Sequence, residues 1–332
     1  MKRAATILFF VIIAATISAG GVFFWAQDRF YAEGPSRESI TVIIPSGAGL
    51  KRIARILHNH SIIEYPWLIV IGARYESAHR QLKAGEYAFP ARASARAVVA
   101  MLRAGRTVVR YVTIPEGLTS RQVVGVLNAA QGLTGVIERM PMEGSLLPET
   151  YDYAHGDDRV MLIRRMRESQ SRALSALWAT RQENSLITSM RDAVVLASIV
   201  ERETGRADER PRVAAVFLNR LRTGMRLQSD PTVAYAVTGG VRTLGRPLSR
   251  ADLAVDNPYN TYRVKGLPPG PISNPGRAAI EAVLRPIPTN ELYFVADGAG
   301  GHVFARTLKA HNRNVAKWRR LRKSSPNSNK NK

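Results

Sequence analysis

The chain has 332 residues, enough for two or three domains that each bury a core. It contains no cysteine, which excludes both a disulfide framework and a thiolate metal site. A formal net charge of +22 would suit nucleic acid, but the basic residues run through the whole length and accompany no nucleic-acid motif with interleaved aromatics, so no nucleic-acid partner is expected.

Lys2 and Arg3 precede an uncharged run over residues 4–26, closed by Asp28 and Arg29. As a helix these ~23 residues span about 35 Å, against roughly 30 Å of bilayer hydrocarbon. Ser18, Ala19, Gly20 and Gly21 also suit a cleaved signal peptide. The run stays apolar through Phe23 and Phe24 to Trp25, an interfacial residue type, so an uncleaved single-pass anchor is the expectation. The positive N-terminus then stays in the cytoplasm and the bulk of the chain lies in the periplasm, held at the inner membrane. An exported basic chain would meet anionic lipid head groups or an acidic wall polymer.

A linker over 27–38 leads to Ile40-Thr-Val-Ile-Ile44, which has strand composition, a turn at Pro45-Ser-Gly-Ala-Gly49, and helical spacing from Leu50 to His58. Further helices are expected over Pro66–Tyr75 and Ala93–Ala104. Residues 39–106 resemble, loosely, a LysM-like wall-binding subdomain. Val108-Val-Arg-Tyr-Val-Thr-Ile114 reads as a strand ended by Pro115-Glu-Gly, and Thr119 with Gln122 has the spacing of a helix-entry capping box. Glu143 to Tyr151 forms a compact loop, read either as a site element or as a turn packing Leu146 and Leu147. Arg159 to Trp178 reads as a helical spacer arm with a solvated basic face, inside a connecting region over 107–190.

Asp192-Ala-Val-Val-Leu-Ala-Ser-Ile-Val200 favours a helix that carries Glu201 near its end. At ~100° per residue Glu201 shares a face with Val194, Ala197 and Ser198, whereas Glu203 points about 200° away, so the two carboxylates serve different places. A carboxylate on an apolar face is disfavoured in its charged form, which raises its pKa and suits it to general acid work. The alternative is a helix-end glutamate, solvated or paired with Arg202 or Arg206.

Several ordered motifs follow: Ala197-Ser-Ile-Val-Glu201 with Glu203, Val213-Ala-Ala-Val-Phe-Leu-Asn-Arg220, Met225-Arg-Leu-Gln-Ser-Asp-Pro-Thr232, Tyr259-Asn-Thr-Tyr262, Gly266-Leu-Pro-Pro-Gly-Pro-Ile272, Asn274-Pro-Gly276, Leu292-Tyr-Phe-Val295 and Gly301-His-Val-Phe304. In this order they resemble the YceG-like (MltG) family of endolytic murein transglycosylases. The resemblance implies cleavage of the β-1,4 bond between N-acetylmuramic acid and N-acetylglucosamine in nascent peptidoglycan strands, with Glu201 as the catalytic residue and a peptidoglycan synthase as a candidate partner. It also implies an α+β fold: a transmembrane helix, the LysM-like subdomain and a mixed catalytic domain over 191–318. Residues 319–332, basic and then rich in Ser and Asn without apolar periodicity, read as a disordered tail.

One carboxylate is enough for such a reaction, because the nucleophile is the sugar's own 6-hydroxyl and proximity replaces a water-positioning base. A hydrolytic muramidase would need a second carboxylate. Asp230, in a polar loop, is the residue that could supply it, and an Asx-type turn before Pro231 is its structural alternative. The substrate-binding candidates are Asn219, Arg220, Gln228, Ser229, Asp230, Thr232, Tyr259, Asn260, Thr261 and Tyr262, with rings and amides suited to acetamido sugars. Core-edge pairing for Arg220 and turn packing for the tyrosines compete with that reading. A third class, a non-catalytic wall-binding scaffold, would place the function in residues 39–106. His58, His60, His302 and His311 lack zinc spacing, so neither metal nor cofactor is expected.

Overall fold

A computed structural model describes residues 2–78, 80–183 and 186–324. The chain divides into two units, Met1–Arg110 with Asp152–Asp157, and Tyr111–Tyr151 with the chain from Asp158 onward.

The first unit opens with α1 (Lys2–Tyr31), whose stretch Thr6–Tyr31 has a mean hydropathy of 2.5 and is long and apolar enough to cross a membrane. The helix continues into the segment expected as a linker because Phe30 is buried against α3 and joins the unit's core. Then come β1 (Ile40–Ile44), α2 (Leu50–Asn59), α3 (Pro66–Tyr75), β2 (Gly85–Phe89) and α4 (Ala95–Ala104). β1 and β2 pair antiparallel with Val42 opposite Tyr87 and Ile44 opposite Gly85. Val42 and Ile44 are buried while Ile43 faces out, the two-residue period of a strand with one covered face. Leu57, Ile69, Tyr87, Phe89 and Leu102 fill the core beneath. Gly72 is required there: a Cβ would overlap the Phe30 ring.

β3 (Val109–Thr113) pairs with β4 (Thr150–Ala154), and the boundary between the units runs through these strands. Between them lies α5 (Ser120–Ala129), which forms the expected capping box between Thr119 and Gln122. The second unit continues with α6 (Arg159–Ala179), α7 (Met190–Glu203), α8 (Arg210–Arg222), α9 (Asp230–Thr238), α10 (Arg250–Ala254), α11 (Arg277–Leu284), the antiparallel hairpin β5 (Tyr293–Ala296) and β6 (His302–Ala305), and α12 (Leu308–Ser324). The fold class is thus mixed α+β.

α7 is the central element of this unit: every residue from Ala193 to Glu201 is buried. Leu196, Ile199 and Val200 pack with Val213 and Phe217 of α8 and with Ile280 and Val283 of α11. A helix covered all round has to be apolar all round, as this one is up to its last turn. The segment expected to be a spacer arm also belongs to this unit. Leu162, Met166, Gln170, Ala173 and Leu177 of α6 are buried at helical spacing, and the helix packs against α7 and α11. α12 extends to residue 324, past the start of the expected tail, and 325–332 lie outside the described residues.

Candidate active site

α7 starts on a built cap. The Ser189 hydroxyl accepts the Asp192 N–H at 3.1 Å and donates to the Asp192 carboxylate at 2.8 Å. The Asp192 carboxylate therefore fits the first turn, where the helix dipole favours negative charge, and Arg191 is directed to Pro269 O at 2.7 Å. The chain over 272–276 is laid along the buried face of the helix: the Ile272 N–H donates to Ser198 Oγ at 3.0 Å and the Ser273 hydroxyl to Ser198 O at 3.2 Å. The Asn274 N–H donates to Leu118 O at 2.8 Å, and the Gly117 N–H returns a bond to Asn274 O at 3.0 Å. This exchange brings the Pro115-Glu-Gly turn beside the end of α7.

Glu201 sits where these pieces meet, with 3% of its side chain exposed. Its Oε2 accepts the N–H of Gly276, the N-cap of α11, at 2.9 Å. Its Oε1 accepts from Arg210 Nη2 at 3.0 Å, and the same nitrogen donates to Glu116 Oε2 at 2.9 Å. Burial raises the Glu201 pKa, and the negative charge of Glu116 adds to the rise. The Gly276 N–H and Arg210 pull the other way without cancelling it. The partner is therefore Arg210, not Arg202 or Arg206. Arg202 reaches Gly117 O at 3.4 Å, and Arg206 pairs with Asp208 at 2.8 Å.

Glu203 points elsewhere, as the helical angle requires. It accepts the Ser229 hydroxyl, and desolvation pushes its carboxyl up to about 7. A third carboxyl, Glu143, accepts the Ser120 N–H at 2.7 Å and the Asn274 amide at 3.2 Å, and burial again raises its pKa. Leu146 and Leu147 of the same loop are buried, so the loop packs as well as presenting an acid.

A cleft of ≈ 350 Å³ opens at the residue after Glu201: Arg202, Asp230, Tyr235, Arg242 and Ile272 are among its walls, and Glu201 itself is not one of its lining residues. Of the candidates from the sequence, Asp230 lines this cleft, as the first residue of α9 and not in an Asx turn, and accepts the Tyr262 hydroxyl at 2.6 Å. Tyr259 packs on the cleft residue Tyr235 with ring centroids 4.9 Å apart. The other candidates are brought together as framework. Asn219 donates to Thr289 O at 2.7 Å and to Glu291 O at 3.0 Å, and Arg220 donates to Leu292 O at 2.7 Å and to Leu227 O. The Asn260 amide donates to Leu253 O at 3.1 Å and to Val255 O at 2.8 Å. Thr261 Oγ1 accepts the Ser229 N–H at 3.0 Å and bonds Thr232 Oγ1 at 2.8 Å, while Gln228 is exposed with φ +49° and donates its N–H to Thr261 O at 3.1 Å. Asn219, Arg220, Ser229, Thr232, Asn260 and Thr261 are all buried. Gln228 and Asp230 are exposed and Tyr259 and Tyr262 partly so, whereas those six are held in hydrogen bonds within the fold.

Sequence reasoning missed Glu116 and Arg210. Their signal was faint: an acid in a Pro-Glu-Gly turn after an apolar strand, and an arginine at the head of an apolar helix. Among the described residues no group of three or more His, Asp or Glu side chains could hold a metal ion.

The chain is 29% identical over 94% of its length to an endolytic murein transglycosylase of Streptococcus pneumoniae strain D39, and it spans 65% of that protein. It is also 29% identical to an endolytic murein transglycosylase of Bacillus subtilis strain 168, over 90% of each chain. The crystal structure of a YceG-like protein from Listeria monocytogenes superimposes with a TM-score of 0.53 at 30% identity, covering 84% of this chain and 99% of that one. The model of the YceG-like family matches residues 42–317, most of the sequence. The chain belongs to the YceG-like family.

Proposed function

We propose that this protein is a membrane-anchored endolytic lytic transglycosylase of peptidoglycan, and that Glu201 is its general acid and then its general base. The observation that carries the reading is the Glu201 carboxyl itself, 3% exposed and raised in pKa by burial, one residue from a cleft in a chain whose relatives bear that activity in their names.

The protonated carboxyl gives its proton to the oxygen that bridges C1 of N-acetylmuramic acid and C4 of the next N-acetylglucosamine. The C1–O bond breaks, the leaving sugar departs with a free 4-hydroxyl, and positive charge develops at C1. The carboxylate then takes the proton of the muramic 6-hydroxyl, whose oxygen bonds to C1 and closes a 1,6-anhydro ring. Glu201 ends as it began, protonated, and no water is consumed. The intramolecular hydroxyl does the work of a positioned water, so a single carboxylate suffices. The Asp230 carboxylate, turned onto the Tyr262 hydroxyl, serves sugar binding in this reading.

α1 supports a single-pass anchor in the inner membrane with the bulk of the chain in the periplasm. The strand, Gly turn and helices of residues 39–106, closed by β2, support a LysM-like wall-binding role. Held near the membrane, the enzyme would cut nascent strands beside the synthases and limit strand length. Incubating purified peptidoglycan strands with the full chain and with Glu201→Gln tests the reading. Fragments one water lighter than hydrolysis products, absent with the variant, are expected. Reducing ends would move the activity to a hydrolase, and no release by either protein would leave a wall-binding scaffold.

A further inference from the structure

Arginine and carboxylate ordinarily meet as a fork, two nitrogens on two oxygens, which holds the carboxylate ionised. Arg210 does not close on Glu201 in this way. It offers Nη2 alone, shared between Glu201 at 3.0 Å and Glu116 at 2.9 Å, while its Nε is buried with no hydrogen-bond partner. The second carboxylate is placed there by the fold. The turn that bears Glu116 is tied through the Gly117 N–H to Asn274 O at 3.0 Å, and Gly276 leaves the room that the Glu116 carboxylate fills, since a Cβ at that position would overlap it. Glu116 is also the exposed member of the pair, with 40% of its side chain in contact with solvent against 3% for Glu201.

We propose that Glu116 is a positioning residue for Glu201: by holding a share of the one arginine nitrogen within reach, it keeps Arg210 from closing on Glu201 and leaves that carboxyl able to carry the proton it must donate. The inference rests on the assignment of Glu201 as the proton donor. The groups facing Glu201 come from each element around it: Glu116 from the turn after β3, Arg210 from α8, the Gly276 N–H from the cap of α11, and Arg202 from its own helix, directed to Gly117 O at 3.4 Å. Two carboxylates beside one cation cannot both ionise as easily as one can. With the charge of Glu116 removed, Arg210 serves Glu201 alone, and the protonated form of Glu201 is lost at lower pH.

The test uses the full chain in detergent micelles as wild type, Glu116→Gln and Glu116→Asp, with two readouts. One is the titration of the Glu201 carboxyl by carbon-detected NMR, assigned with Glu201→Gln. The other is kcat and KM for release of anhydro-ended fragments across pH. For Glu116→Gln we expect the Glu201 midpoint and the falling alkaline limb of kcat to move together to lower pH by about one unit, with kcat about tenfold lower on that limb and KM within about twofold. Glu116→Asp keeps the charge and should keep the limb of the wild type, which a turn merely damaged by substitution would not do. A midpoint and limb unchanged in Glu116→Gln, or a rise in KM with kcat intact, would overturn the proposal. If the wild type releases no fragments yet the midpoint falls in Glu116→Gln, the coupling between the two carboxyls stands and the transglycosylase reading fails.

Discussion

The Gly276 N–H donates to Glu201 Oε2 at 2.9 Å and joins residues 75 positions apart in the chain. This bond, at the N-terminus of α11, favours the ionised carboxylate, yet burial outweighs it and the pKa stays raised. A general acid works in its protonated form. The rate is therefore expected to hold above the ordinary carboxylate range and to fall as pH rises through the raised pKa. A plot of kcat against pH checks this, and a rate that instead rises through the same range would contradict it.

Glu203 supplies a stability test separate from catalysis. Its carboxyl is held at about 7 in the folded chain, above the unfolded value near 4.3. Between those values the unfolded state has lost the proton and the folded state has kept it, so the wild type loses stability as pH climbs through that window and levels off above it. Glu203→Gln can still accept the Ser229 hydroxyl and does not titrate. Its Tm relative to the wild type should rise between pH 5 and pH 8, by about 2–4 °C for each kcal/mol, and differential scanning calorimetry would show it.

Asp230→Asn separates the two glycosidase mechanisms. The cleft carboxylate held by Tyr262 is assigned to binding, so the variant should lose less than about tenfold in kcat/KM, while loss of the general acid costs about 10²–10⁴-fold. Equal losses from Asp230→Asn and Glu201→Gln would place Asp230 in the chemistry.

Asn219→Ala should behave as a framework variant. The amide satisfies Thr289 O and Glu291 O in a buried setting, and removing it leaves both carbonyls short of a donor. A loss of about 1–3 kcal/mol in stability is expected, with KM unchanged in the folded fraction. Urea titration followed by kinetics would show it.

β1 and the helices α2, α3 and α4 of the first unit were legible because local signals agree there, as with the β-branched residues at Ile40–Ile44, a Gly turn, and apolar spacing in Leu50–Asn59, whereas its partner strand β2 was not read. The Glu201 helix was legible for the same reason, its apolar run being local. What surrounds Glu201 was not, because Glu116 and Gly276 lie 85 and 75 residues from it and meet it only through tertiary hydrogen bonds. Buried polar residues misled in the opposite direction. Asn260, Thr261 and Asn219 have the composition of a sugar-binding surface, and the fold spends their donors on backbone and neighbouring side chains. Gln170 of α6 is buried and donates to Gly144 O at 3.1 Å, so the helix packs into the unit where a spacer arm was expected.

The most direct test of the central claim is to run the cleavage in water labelled with heavy oxygen and weigh the new ends. If the Glu201 carboxyl draws the nucleophile from the muramic 6-hydroxyl, the fragments carry anhydro ends with no heavy oxygen, and Glu201→Gln releases none. Heavy oxygen at a new reducing end would mean that water attacked C1, and the account of a single carboxylate serving as acid and then base would be wrong.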